Sequence, residues 1–170
     1  MKTDVWFLVL PGTLALDMIG PAETLGLASD AFRLHYIGPE TEVSTSIGLR
    51  MGGIEPLPES LPQGSLLVLS GVSDSTRYFD TPQAVVARRW LSRQLAAIQR
   101  GAIQLVCVCS GSLLAARAGL LHGVECTTHH DVIARLKSAE PEAIVREGRI
   151  FVEDRGIWTS AGITSGIDLS

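Results

Sequence analysis

The chain repeats one pattern that few folds can satisfy: a short apolar run, a turn, then a longer stretch of helical periodicity. The runs are Val5-Trp-Phe-Leu-Val-Leu10, Phe32 to Ile37, Ser65-Leu-Leu-Val-Leu-Ser70 and Ile103 to Val108. The first, third and fourth are almost continuously apolar, as strands buried on both faces are. Alternating with helical segments, they predict βαβ units and a parallel sheet covered by helices on both sides. That is a doubly wound α/β fold of the flavodoxin-like type. Aromatics make up only 5% of the residues. Val, Leu, Ile and Ala carry the apolar load, which suits a buried parallel sheet better than an aromatic-rich sandwich.

The punctuation between the runs supports that order. Pro11-Gly12 closes the first run and Gly38-Pro39 the second. A helix is predicted from about Pro21 to Ala28, with Pro21 in its first turn. Residues 41 to 56 predict a short β excursion broken by Gly48, Gly52 and Gly53. The clearest helix has Thr81 as N-cap, Pro82 at its first position, an apolar face of Ala84, Ala87, Leu91, Leu95 and Ile98, and Gly101 as its stop. A short small-residue helix follows from Ser112 to Ala118, ended by Gly119. Gly162 to Ser170 reads as a turn opening a helix after which the sequence stops within one turn. The expectation is therefore one domain over residues 1–170, as part of a longer protein.

Charge and cysteine content exclude several classes. A formal charge of −4 argues against duplex DNA binding by this chain alone, because phosphate neutralisation supplies most of that affinity. Arg88, Arg89, Arg93 and Arg100 lie on the predicted amphipathic helix and read as its solvated face. No run approaches the ~20 apolar residues of a membrane span, and Val5 to Leu10 is too short for a secretory core. Three cysteines, Cys107, Cys109 and Cys126, form neither a disulfide framework nor a paired zinc spacing. A reducing cytoplasm without metal or cofactor is the expectation.

Chemistry concentrates at Leu105-Val-Cys-Val-Cys109-Ser-Gly-Ser-Leu-Leu-Ala-Ala116. A buried strand that turns sharply into a helix lifts the side chain at the turn above the sheet and sets backbone N–H groups beside it. A thiol at a helix start is expected to have a lowered pKa. Gly111, Ser112, Ala115 and Ala116 would let that helix sit close to the sheet. Cys109 is thus the candidate nucleophile or ligand contact, against the ordinary role of a free cysteine as a small buried hydrophobe. Cys107 and Cys126 read as structural. The stretch Glu125-Cys-Thr-Thr-His129-His130-Asp131 could bring an imidazole to the sulfur, or could be an ordinary loop. Asp17, just ahead of Gly20-Pro21, could be a partner carboxylate or a first-turn cap.

Together these features resemble the ThiJ/PfpI superfamily of class I glutamine amidotransferase-like domains. The resemblance rests on Asp17-x-x-Gly20-Pro21, the Cys109-x-Gly111 elbow, Ala118-Gly-Leu-Leu-x-Gly123 and Thr127-Thr-His129. It implies Asp17 as the acidic partner of Cys109 and His129 as the nearby histidine. The Leu69-Ser-Gly71-Val72 turn would take the place of the family's Pro-Gly-Gly turn, with Gly71 and Val72 amides facing the sulfur. Ser110 stands where the protease-like branch has histidine, which argues against peptidase activity. Isonitrile hydratases share the Asp-x-x-Gly-Pro start and a Cys-Thr-Gly elbow, with Ser110 supplying the hydroxyl here. The sensor domains of GlxA-type AraC-family transcriptional regulators share Glu153-Asp154, Trp158-Thr-Ser-Ala-Gly162 and the Thr-Thr-His stretch.

The last resemblance implies ligand sensing and dimerisation rather than turnover. A small-molecule effector would bind around Asp17, Gly71, Val72, Cys109, Ser110 and His129, in a homodimer that reaches DNA only through a helix-turn-helix domain beyond Ser170. The alternatives are an isonitrile hydratase-like enzyme, with Cys109 as nucleophile and Asp17 as acid/base, and a redox-responsive protein in which Cys109 is modified.

Overall fold

The fold comes from a computed structural model, which describes residues 2–162. In chain order the strands and helices are β1 (Thr3–Leu8), α1 (Ala15–Leu27), β2 (Phe32–Gly38), β3 (Glu42–Ser44), β4 (Arg50–Gly52), β5 (Glu55–Pro56) and β6 (Ser65–Leu69). They continue with α2 (Ser75–Tyr78), α3 (Pro82–Gln99), β7 (Ile103–Val108), α4 (Gly111–Arg117), β8 (Glu125–Cys126), α5 (Ile133–Ala139), β9 (Ile144–Val145), β10 (Phe151–Asp154) and β11 (Ile157–Ser160). A 3-10 turn at His130–Val132 leads into α5.

Seven strands form one sheet in the order β10-β11-β7-β6-β1-β2-β5. Its ladders are parallel except for the β10–β11 pair. The core order β2-β1-β6-β7-β11 is that of a flavodoxin-like sheet, and it reverses direction at β1/β6, where such folds place their ligands. Period-two alternation sorts each strand's side chains between two cores. Val5, Phe7 and Val9 pack with Met18, Ala22 and Leu25 of α1 on one face. Leu8, Leu67, Leu69, Leu105 and Cys107 pack with Ala87, Trp90 and Leu91 of α3 and Leu113 and Leu114 of α4 on the other. Among the described residues no helix is long and apolar enough to cross a membrane.

α3 begins at Pro82 as expected, with the Thr81 hydroxyl accepting from the Ala84 N–H at 3.2 Å. It ends in a reversal where Gly101 takes φ +72° and Ala102 N–H bonds back to Ala97 O. Its buried face is wider than the five expected residues. Trp90 is fully buried, and Gln94 is 3% exposed and donates to Glu59 O. The Trp90 indole donates to Pro58 O. A tryptophan and a glutamine can line a core face because the 57–63 loop crosses α3 and offers carbonyls to their N–H groups. Arg89, Arg93 and Arg100 are exposed and Arg88 half-buried, as a solvated face requires.

One boundary changes the site. α1 starts at Ala15, not near Pro21, and carries Pro21 inside it. The missing Pro21 N–H leaves the Asp17 carbonyl without its helical donor. Packing of Met18, Ala22 and Leu25 on the sheet holds the helix through that defect. No side chain caps Leu14, so no sequence signal marks the true start. The predicted helix over Gly162 to Ser170 lies outside the described residues.

Candidate functional site beside Cys109

Three loops meet above the β1/β6/β7 edge. Cys109 occupies the turn between β7 and α4 with φ +56°, a left-handed conformation uncommon for a non-glycine residue. Neighbouring bonds hold it there. Its N–H donates to Ser160 O at 3.1 Å, and its carbonyl accepts from the hydroxyls of Ser112 (3.0 Å) and Thr128 (3.1 Å). Such strain persists only where the surroundings enforce it and is characteristic of functional turns. Gly111 makes the turn possible. A Cβ there would stand 2.2 Å from the Leu69 carbonyl oxygen.

Asp17 lies in the first turn of α1 and is fully buried. Its Oδ2 accepts from the Gly71 N–H at 3.1 Å, and the Cys109 thiol lies beside its carboxylate and favours its charged form. Its Oδ1 has no hydrogen-bond partner among the described residues. Burial pushes the Asp17 carboxyl up to about 6, partly offset by the Gly71 N–H and the thiol. The turn after β6 is pinned to the first loop by Leu14 N–H to Gly71 O at 2.9 Å and Ser73 N–H to Gly12 O at 3.0 Å. The Val72 N–H donates to Ser110 Oγ at 3.0 Å.

Two expectations change here. The thiol of Cys109 is pushed up to about 12, not down: burial is the main cause, and the Asp17 charge adds to it. The Ser110 N–H at the start of α4 favours the thiolate but does not outweigh them. A seven-residue helix is too short for its dipole to offset the loss of water. Nor are the Gly71 and Val72 amides, expected to face the sulfur, free to do so. Both N–H groups are already bonded, to Asp17 and Ser110. At neutral pH the pair is therefore a neutral thiol donating to a carboxylate, and a thiolate requires Asp17 to hold the proton.

In front of this pair lies a cavity of about 300 Å³. Of the expected site residues, Val72, Cys109, Ser110 and His129 line it, while Asp17 and Gly71 lie behind Cys109 and set its state. His129 turns toward Asp131, whose N–H donates to its Nδ1 at 3.3 Å. The remaining wall comes from residues that the sequence did not single out, including Asp74, Ser75, Thr76 and Arg135. Asp74 had a readable signal as a helix cap: its side chain accepts from the Thr76 and Arg77 N–H groups. Arg135 had none. His129, His130 and Asp131 also bring three atoms able to ligate a metal within 4.8 Å of one another, at the exposed end of the same loop.

Cys109 is 4% exposed and on the cavity wall, whereas Cys107 and Cys126 are fully buried. Access ranks Cys109 first toward iodoacetamide, although burial raises all three thiols and Cys126 only to about 11. Its labelling at pH 8 is expected to be about fiftyfold or more slower than in denaturant. The thiolate fraction falls ~1,000-fold between a pKa of 9 and 12, and the more basic sulfur recovers ~20-fold in nucleophilicity. Mass mapping of the alkylated peptides checks this, and equal labelling of all three cysteines would contradict it.

No family model matches the chain. It is 31% identical to the HTH-type transcriptional regulator CdhR of Pseudomonas aeruginosa over 177 aligned residues, covering 99% of this chain and 49% of the regulator. The chain thus spans about half the length of that regulator. It is 28% identical to the isonitrile hydratase of Pseudomonas putida, covering all of this chain and 70% of the enzyme. Among solved structures it superposes on a ThiJ/PfpI family protein from Pseudomonas syringae with TM-score 0.78 and 25% identity, covering 99% of this chain and 66% of that one.

Proposed function

The chain belongs to the ThiJ/PfpI superfamily, and from that premise we propose that it is the effector-sensing domain of an AraC-type transcriptional regulator. A small metabolite would enter the cavity beside Cys109, in a cytoplasmic homodimer, and bias the placement of a helix-turn-helix domain joined beyond Ser170. The observation that carries this reading is the geometry around Cys109. A buried thiol beside Asp17, facing Gly71 and Val72 amides already bonded to Asp17 and Ser110, is arranged for contact rather than attack. A ligand can shift such a domain only by binding two of its arrangements unequally. Any such rearrangement would move the three cavity loops together, because hydrogen bonds at Gly12, Gly71 and Ser110 tie them to one another.

The second reading is an isonitrile hydratase-like enzyme, favoured by the Asp17–Cys109 contact. Asp17 would take the thiol proton and Cys109 would add to the isonitrile carbon. Protonation would give a thioimidate, R–N=CH–S–Cys, and water would release R–NH–CHO and restore the thiol. Atoms balance and no oxidant is needed. One experiment separates the readings. The chain with the segment that follows Ser170 is assayed for operator retention with and without a metabolite extract, and for formamide production from cyclohexyl isocyanide. The sensor reading expects retention to change and no formamide above the Cys109→Ser variant. Formamide production abolished by Cys109→Ser, without any change in retention, would replace it with the enzyme.

A further inference from the structure

Two water-shielded donor atoms on the wall of the Cys109 cavity lack partners among the described residues, and from them we infer that the cavity receives a small organic acid, its carboxylate taken by Arg135 and Ser75. The inference rests on the proposed reading of this cavity as an effector site and names the chemistry of the effector. Arg135 Nη1 is shielded from water without an acceptor, and its Nη2 reaches only the Asp131 carbonyl, at 3.5 Å. Ser75 is 4% exposed and its Oγ is likewise unpaired. Both residues line the cavity. Buried donors are almost always paired, and a charged one is the costliest to leave alone.

The unmet demand is for a hydrogen-bond acceptor: the Asp74 charge lies near enough to feel Arg135, but no wall carboxylate oxygen bonds its Nη1. Asp74 Oδ1 accepts from the Thr76 N–H at 3.0 Å and the Arg77 N–H at 3.2 Å, besides the Thr76 hydroxyl. The Asp131 carboxylate faces His130 Nε2 at 3.1 Å. A carboxylate suits the free donors: it can accept a guanidinium N–H and a hydroxyl together, each bond strengthened by its charge. A cavity of about 300 Å³ lies at the lower end of the usual range for ligand sites, so the acid is a small one.

The test is an NMR titration of the amide resonances of this chain with sodium butyrate and, separately, with butyramide, its neutral counterpart. Butyrate is expected to move the Ser75, Thr76 and Ser110 resonances saturably and to bind at least tenfold more tightly than butyramide. Arg135→Gln should weaken butyrate at least tenfold and leave butyramide unchanged. Arg135→Lys should restore part of the loss, and Ser75→Ala should cost severalfold. A dispersed spectrum of each variant establishes that it is folded. Equal affinity for acid and amide, or undiminished butyrate binding by folded Arg135→Gln, overturns the inference. So does the absence of any shift with butyrate. None of these outcomes decides the sensor reading, which stands or falls on operator retention.

Discussion

Gly111→Ala is expected to cost ~3 kcal/mol or more of stability, at the upper end for overpacking a closed core. The added methyl would sit 2.2 Å from the Leu69 carbonyl oxygen and 2.8 Å from its carbon, both backbone atoms of a central strand. They cannot move without breaking the β6–β7 ladder, in which Leu69 pairs with Cys107. Urea unfolding followed by circular dichroism measures the loss, and a midpoint within error of wild type would refute the close-approach argument. Gly71→Ala is the instructive contrast. There the methyl would meet Asp17 Oδ2 at 2.5 Å, Ser110 Oγ at 2.9 Å and Cys109 Cβ at 3.2 Å. Those are side-chain atoms, so the variant should keep more of its stability while displacing the Asp17–Cys109 pair.

Asp17→Asn should remove a pH dependence that the wild-type protein owes to one buried carboxyl. Asp17 rises from the ordinary 3.8 to about 6 on folding, so the folded state holds its proton more tightly than the unfolded chain. Stability from this group is fully present below pH 3.8 and is lost as pH rises through about 6, a change of ~3 kcal/mol. Asp74 and Asp154 are lowered by their hydrogen bonds and give slopes of the opposite sign. The quantity to measure is therefore the difference between the wild-type and Asp17→Asn stability curves from pH 3.5 to pH 8. It should favour the wild type at the acid end and the variant above pH 6. The variant should also alkylate at Cys109 severalfold faster at pH 8, because the Asp17 charge is the second cause of the raised thiol. A flat difference curve would mean that Asp17 is not the buried proton-holding group described above.

Much of the site's frame was readable from residue types alone. The β6 and β7 runs, the Thr81-Pro82 start of α3 and the elbow at Cys109 lie where apolar continuity, capping chemistry and small residues predict them. Each is a local rule: a buried strand needs an apolar run, a helix start needs an oxygen for its free N–H groups, and a tight elbow needs Gly111. Elements held by non-local contacts were missed or misplaced. α1 gains six residues ahead of Pro21 because the sheet, not a cap, supports its first turn. β8, β9, β10 and α5 carry short or mixed patterns that become ordered against the rest of the fold.

By itself, then, the sequence determined the parallel sheet, the position of Cys109 at its carboxyl edge and the close seat of α4, because those follow from neighbours along the chain. Only the tertiary structure decided that Asp17 is buried against a glycine 54 residues away and that Cys109 rests as a neutral thiol. It also decided that Ser75 and Arg135, 60 residues apart in the chain, share one wall with donor atoms unpaired among the described residues. Desolvation depends on everything packed around a group, whereas a motif names only the group and the few residues beside it.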